Sequence, residues 1–373
     1  MWRPGRPATP GYVAQSAQLT EARAVEPWLA TGSQTVQQQA LRDLDQAWRS
    51  YFAGTHRRPT WRKAGVHEGF RIVGGQARRV EKVSAKWARV LIPKVGWVKF
   101  RLTRSCLPDA ASYRVTRDRA GRWHIAFAVV PEPVPAPGND EVVGVDRGVV
   151  VSAALSTGEL LTVPHLRVQE VERLRRLKRQ LARCQRDSNR RTKVRAQIAR
   201  LRAREADRRK DWVEKTSTRL AAEFDLIRVE DLNVKAMTRA ARGTLEQPGR
   251  NVQQKASLNR GILANGWGQL VTSLEHKAPG RVEKVKAAWT SQTCAECKTV
   301  DKEARESQAV FRCRTCGHTA HADLNAARNI GAGNLAASNP SSTAVGRTVA
   351  ARGDLDTSRS GKREPQPSGR FAS

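Results

Sequence analysis

Residues 294–330 read CAECKTVDKEARESQAVFRCRTCGHTAHADLNAARNI. Two Cys-x-x-Cys pairs, Cys294 with Cys297 and Cys313 with Cys316, stand fifteen residues apart. Each pair can form a tight knuckle that points two sulfurs at one tetrahedral ion, so the four thiolates read as a structural zinc site. Unrelated redox pairs would need no second pair at this distance. His318 and His321 flank the second pair, but four sulfurs already complete the coordination and neither histidine is assigned to it. Just beyond, Asp323 opens a helical Asn-Ala-Ala-Arg-Asn run. A zinc ribbon set directly before an acid at a helix start points to a metal-dependent nuclease with the ribbon inserted into its catalytic fold.

The rest of the chain is consistent with that class. Its 373 residues are enough for two or three domains with a real core. Against 35 Asp and Glu it carries 67 Lys and Arg, a net charge of +32 and a pI near 11.2. A protein so charged is drawn to polyanions, of which nucleic acid is the abundant one. The excess of Arg over Lys suits bidentate phosphate contacts. Cys106 and Cys184 are isolated, so no disulfide framework is expected and a reducing compartment fits. No apolar run approaches a membrane span of about 18 residues. The expectation is a soluble protein of the bacterial cytoplasm or nucleoid with no membrane partner.

Along the chain, the spacing of Val36, Ala40, Leu41, Leu44, Trp48 and Phe52 predicts an amphipathic helix over 35–52, after a weaker one around 21–29. This is a helical recognition-like segment, 1–66. Residues 67–135 carry short aromatic and β-branched runs broken by Gly and Pro, which predict a β-barrel-like wedge domain whose tryptophans pack into its core. A Pro-rich linker follows at 131–137. A nuclease core is expected over 136–290, beginning with three strands between 141 and 166. Its basic helical insert, 165–210, has a narrow apolar seam (Leu174, Leu177, Leu181, Val194, Ile198, Leu201) and predicts a hairpin turning near Asp187-Ser188-Asn189. Too few acids lie there to pair its arginines, so Arg173, Arg176, Arg179, Arg190 and Arg191 are candidate phosphate contacts. A separate helix is expected from 211, a strand over 224–230, a mobile loop over 239–259, a helix over 261–276 and a strand over 281–288. The ribbon occupies 291–320, the final core segment 321–332, and a disordered tail 333–373.

Three acids stand where strands end or a helix begins. Asp146 follows Val142-Val143-Gly144-Val145, Glu230 closes the strand ending in Val229, and Asp323 opens the last helix. The order β-β-β-helix-β-helix-β-helix, with acids at these points, is that of an RNase H-like (RuvC) α/β fold, which gathers distant carboxylates at one sheet edge. Carboxylates suit magnesium, whereas thiolates or imidazoles would favour softer metals. Two magnesium ions about 3.5–4 Å apart can activate a water and stabilise the leaving oxygen of a phosphodiester. Asp231 is the alternate for the second position.

The segments Gly144-Val145-Asp146-Arg147-Gly148, Val229-Glu230-Asp231-Leu232-Asn233-Val234, Thr290-Ser291-Gln292-Thr293-Cys294 and Asp323-Leu324-Asn325-Ala326-Ala327-Arg328-Asn329-Ile330 resemble the TnpB (OrfB) family of transposon-encoded proteins, RuvC-type nucleases similar to the type V CRISPR effectors. The resemblance runs from about Gln37 to Ile330. It implies that Asp146, Glu230 and Asp323 are the metal-binding acids and that the four cysteines form a zinc ribbon that handles target nucleic acid. It further implies an RNA-guided DNA endonuclease whose guide RNA derives from the transposon end and whose target is double-stranded DNA beside a short flanking motif.

The chain departs from that pattern at three places. Family members usually begin with a basic, aromatic strand that this chain lacks, so an upstream segment encoding one is expected. Lys298 stands after the first knuckle where Gly is usual, and Ala322 precedes Asp323 where Arg is common, removing a phosphate contact. Two other readings differ in class: an unguided structure-specific RuvC-type nuclease, and a catalytically weak or inactive nucleic-acid-binding protein, such as a decayed copy or a repressor. The basic insert and N-terminal regions argue against the first, and retention of all three acids argues against the second. A strand-transfer transposase would order its acids Asp, Asp, Glu.

Overall fold

A computed structural model describes residues 11–66, 68–103 and 107–333. Cys106 and the expected tail beyond 333 lie outside them. The framework divides into two compact units. One comprises residues up to 137 with 163–223 and 260–279; the other comprises 138–162, 224–259 and the chain from 280 onward. No helix among the described residues is long and apolar enough to cross a membrane.

In the first unit, α1 (Tyr12–Val25), α2 (Pro27–Thr31) and α3 (Gln34–Phe52) precede six strands. These are β1 (Gly69–Val73), β2 (Val80–Lys82), β3 (Trp87–Ile92), β4 (Gly96–Arg101), β5 (Ser112–Arg117) and β6 (Trp123–Phe127). They form two three-stranded antiparallel sheets, β1-β5-β6 and β2-β3-β4, where one barrel-like ladder was expected. The two sheets share a core of Ile72, Val90, Ile92, Tyr113 and Val115, edged by Phe70, Phe100, Ile125 and Phe127.

The tryptophans do not fill that core as expected. Trp87, Trp97 and Trp123 are 44%, 43% and 54% exposed. The pleat explains Trp87: Ala88, Val90 and Ile92 turn inward, which leaves Trp87 on the outer face with Arg89. Arg89 stacks on Trp97 at 4.6 Å from the ring centre. Trp123 shares its face with Ile125 and Phe127 but stands at the strand start, beyond the last core layer.

The second unit begins with β7 (Val142–Asp146), β8 (Ala153–Leu155) and β9 (Leu160–Leu161). The chain then returns to the first unit for the basic hairpin. Here α4 (Val168–Arg183) and α5 (Asn189–Glu223) are closed by Leu174, Leu177, Val194 and Leu201, the seam read from sequence. The separate helix expected from 211 is a continuation of α5, because nothing between 209 and 211 breaks the backbone. Beyond it lie β10 (Leu226–Glu230) and α6 (Val234–Met237). Next come α7 (Val252–Asn265) and α8 (Trp267–Lys277). The expected loop over 239–259 therefore ends early, at 251. The helix expected over 261–276 is split at Gly266, whose φ of 68° is left-handed.

The second unit resumes with β11 (Val282–Val285), the ribbon strands β12 (Val310–Arg312) and β13 (Thr319–His321), and α9 (Ala322–Ala332). Its main sheet has the order β11-β10-β7-β8-β9. β10 lies parallel to both β7 and β11, while β7, β8 and β9 run antiparallel. In the central strand β7, Val143, Gly144 and Val145 are all buried, as in strands covered on both faces. Helix α9 packs on β7, β8 and β10. A Cβ at Gly144 would collide with the backbone of Ala327 and Gly331, so glycine is what allows the helix to lie directly on the strand.

Candidate active site and metal centres

Asp146 and Glu230 are the last residues of the adjacent parallel strands β7 and β10, which places them side by side at one sheet edge. Asp323 lies in the first turn of α9, the helix packed on those strands. The three acids expected from sequence are therefore brought together inside the second unit. Burial, then the charges of Glu230 and Asp323, push the Asp146 carboxyl up to about 8. Burial also raises Glu230, against the opposing effects of Thr290 and Arg147. Crowded, buried carboxylates of this kind are a donor set that a hard divalent cation relieves. Asp231 is exposed, and its N–H is spent on the carbonyl of Val285 at 2.8 Å.

The acids are held by groups to which the sequence assigned no role, although Arg147 and Thr290 lie in the segments that carry the resemblance. The Thr290 hydroxyl donates to Glu230 Oε1 at 2.9 Å. Arg147 is buried and donates through Nη2 to the backbone carbonyl of Glu230. Arg305, in the ribbon, donates through Nη2 to Asp323 Oδ1 at 3.0 Å, and its charge partly offsets the rise at Asp146. Ala322, which precedes Asp323, is buried, and the guanidinium beside Asp323 is that of Arg305. Residues 301–308 mix charges without any period, so nothing in them marked Arg305 in advance.

At the ribbon, the four cysteine sulfurs lie within 4.8 Å of one another. Cys294 and Cys316 Sγ are 3.7 Å apart, and Cys297 and Cys313 Sγ are 3.5 Å apart. Tetrahedral Zn–S bonds of about 2.3 Å imply sulfur separations near 3.8 Å, so the cluster fits that ion. Burial pushes the Cys294 thiol up to about 12, whereas hydrogen bonding by Thr299 brings Cys297 down to about 6. Both knuckles close the same way: Lys298 N–H donates to the Cys294 carbonyl at 3.1 Å and Gly317 N–H to that of Cys313 at 3.0 Å. The closing residue is left-handed in each, with φ of 61° at Lys298 and 76° at Gly317. That conformation explains why glycine suits the first knuckle and why lysine there is strained.

The ribbon is bolted to α9 by two asparagines. Asn325 accepts from Ala295 N–H at 2.8 Å and donates to the Thr293 carbonyl at 2.7 Å. One turn later, Asn329 donates to the carbonyls of Thr290 at 3.0 Å and Thr293 at 2.6 Å. His321 caps the helix, its Nδ1 accepting from Asp323 N–H at 3.2 Å, while the His318 carbonyl receives the Cys313 N–H. The i, i+4 spacing of the asparagines was visible in sequence; their targets were not.

Of the candidate phosphate contacts on the hairpin, Arg173, Arg176, Arg179 and Arg190 are exposed. Arg191 is half-buried and donates to the carbonyls of Leu181 and Cys184, tying the end of α4 to the start of α5. Reversing Arg173, Arg176 and Arg179 together to Glu is expected to weaken nucleic-acid binding across sequences. The slope of log affinity against log salt should shrink by roughly 0.7–0.9 per lost phosphate contact. An unchanged slope in a salt titration would mean that this face is only solvated.

Two family models match the chain. One is described as a probable transposase (OrfB_IS605) and matches residues 124–241; the other, Cas12f1-like, TNB domain, matches 267–330. The chain is 35% identical over 307 residues to the "Putative RNA-guided DNA endonuclease InsQ" of Escherichia coli (strain K12), covering 81% of this chain and 75% of that protein. A "Putative RNA-guided DNA endonuclease" of Streptomyces pristinaespiralis is 32% identical over 379 residues, covering 95% and 85%. Among solved structures, the fold is similar to a Cas12f1-sgRNA-target DNA complex determined by cryo-EM. The TM-score is 0.50 at 13% identity, covering 86% of this chain and 79% of that one.

Proposed function

The chain belongs to the TnpB (OrfB) family of transposon-encoded proteins, and on that premise we propose that it is an RNA-guided, magnesium-dependent DNA endonuclease with an RNase H-like (RuvC) core. The single observation that carries the reading is the convergence of Asp146, Glu230 and Asp323, with the Asp146 carboxyl pushed up to about 8 by burial and by its two acidic neighbours. The sheet order β11-β10-β7-β8-β9, with only β8 antiparallel to the central strand, supports the core assignment. The names of the two relatives support a guide RNA and a DNA target as partners; that the RNA derives from the transposon end and the target is double-stranded is part of the proposal.

Asp146, Glu230 and Asp323 would hold two magnesium ions. When bound, these supply a Lewis-acid clamp that activates a water and stabilises the leaving 3′ oxygen. Thr290 fixes the orientation of Glu230 through its hydroxyl. Arg147 anchors the end of β10 by its backbone. Arg305 presents a fixed positive charge beside Asp323, and it would stabilise negative charge developing on a phosphate oxygen bound there. Cys294, Cys297, Cys313 and Cys316 would hold one structural zinc.

The test is cleavage by the purified protein loaded with RNA transcribed from its own locus. Target cutting that needs both magnesium and the matching RNA supports the reading. Cutting without RNA moves it to an unguided nuclease, and guided binding without cutting moves it to a binding protein. Arg305→Ala is expected to lower cleavage on the order of 10²-fold, as loss of one transition-state donor does. Magnesium titration of the same variant should show affinity that is no weaker, because a competing cation has left Asp323. Weaker magnesium binding with normal turnover at saturation would reverse that assignment.

A further inference from the structure

The nuclease reading makes no use of an aromatic and basic hollow at the rim of the β-region in the first unit. This open cavity of about 330 Å³ is lined by Arg62, Lys63, Glu68, Gly69, Phe70 and Trp123, with Ala64 beside them. Its volume falls at the small end of the ~300–1,000 Å³ typical of small-molecule sites. It exists because the apolar layer stops short. Ile125 and Phe127 enter the core, Trp123 continues their face past its edge, and the indole is left 54% exposed. Arg117, paired with Trp123 across the strands, stands over the ring at 6.0 Å.

The cationic wall is built as well. Arg62 is held by two contacts, to the Gly69 carbonyl at 3.2 Å and to Asp43 at 3.1 Å. Asp43 also receives Arg71 and Arg114, each at 3.2 Å, so three guanidiniums converge on one carboxylate and the cluster keeps an excess of positive charge. Arg71 and Arg114 are direct cross-strand neighbours. Like charges so placed repel, and the single Asp43 carboxylate offsets only one of the three positive charges gathered there. The acid in the lining, Glu68, accepts from Gly65 N–H at 2.8 Å.

We infer that this hollow binds one unpaired nucleotide of a nucleic-acid strand, its base against Trp123 and its phosphate on Arg62 and Lys63. A flat, half-exposed indole between fixed cations matches a base joined to a phosphate, and stacking on an aromatic ring is how unpaired bases are held without regard to sequence. The interior of a duplex cannot fill the site, since a base within a stack does not present its face; the duplexes in the test therefore carry hairpin-capped ends. The site needs neither metal nor cleavage, so it stands or falls separately from the nuclease reading.

The experiment uses the full chain in EDTA with short single strands of RNA or DNA, each carrying one 5-iodouracil, and the same sequences as duplexes. Photo-cross-links should map to the peptide containing Trp123 for single strands only. Trp123→Ala should weaken single-strand affinity on the order of ten-fold, the size of one stack, with Trp123→Phe recovering most of it. Lys63→Gln should reduce the single-strand salt slope by about one contact. Melting temperature checks that the exposed substitutions leave the fold intact. Cross-linking by the ribose or the deoxyribose strand identifies which fills the site, and either result supports it. Unchanged single-strand affinity in Trp123→Ala, or equal losses for single strands and duplexes, overturns it.

Discussion

Asp146→Asn is expected to abolish guided DNA cleavage while making the metal-free protein more resistant to heat at pH 8. The first effect follows from the shared site. Residues that act as one unit are grossly non-additive, so this variant, Glu230→Ala and Asp323→Ala should each fall on the order of 10³-fold or more, close to the triple variant. RNA binding should be nearly unchanged. The second effect follows from proton linkage. Asp146 is raised from 3.8 to about 8 on folding. Between those values the folded chain therefore holds a proton that the unfolded chain has released. Stability from this group is full below about pH 4 and is lost as pH rises through 8. The amide removes that penalty, so the melting difference between Asp146→Asn and the parent should be larger at pH 8 than at pH 6. Magnesium should likewise stabilise the parent more at pH 8, because its binding requires the carboxylate. Near-normal cutting by Glu230→Ala would move the second position to Asp231, and a melting difference independent of pH would remove the carboxylate-crowding account.

Loss of the ribbon's zinc is expected to disable cutting from a distance. The purified chain should carry about one zinc, and Cys313→Ser should release it. Thr293, whose carbonyl receives both Asn325 and Asn329, immediately precedes the first knuckle, and Thr290 carries the hydroxyl that orients Glu230. If the knuckle loosens, those bonds loosen with it, and both Asp323 and Glu230 lose support. Asn325→Ala should do the same with zinc still bound. It strands the half-buried Ala295 N–H, where an unsatisfied buried group costs about 1–3 kcal/mol, and leaves the Thr293 carbonyl with Asn329 alone of its two side-chain donors. Metal analysis, melting temperature and cleavage rate together separate the cases. Undiminished cutting by zinc-free protein would show that the acids need no help from the ribbon.

Much of this was legible in the chain because strong local signals agreed with the final structure. The three acids each sit where an apolar strand ends, Val143-Gly144-Val145 before Asp146 and Ile227-Arg228-Val229 before Glu230, or where a helix begins, at Asp323, and the sheet edge follows from that. The hairpin seam of Leu174, Leu177, Val194 and Leu201 repeats at helical spacing and closes as read. What was illegible depended on tertiary position. Trp87 and Trp123 carry the apolar bulk of core residues, but the pleat turns one outward and the other lies past the edge of the core. Gly266 breaks a continuous apolar pattern through a single left-handed residue. Arg305 meets Asp323 only after the ribbon has folded back, and no pattern along the chain records that meeting.

On the proposed reading, the order of the acids along the chain delays cutting until Asp323 has been translated. Asp146 and Glu230 lie on strands that pair across a long insertion, and Asp323 arrives at the start of the final described helix. As the chain leaves the ribosome, N-terminal first at about 5–20 residues per second, the cationic hairpin and the N-terminal β-region are translated well before Asp323. Polyanions can therefore meet a growing chain that has no means of breaking a phosphodiester. A message interrupted anywhere between the codons for 224 and 322 would yield a product that carries the arginine-rich helices but lacks an active nuclease centre.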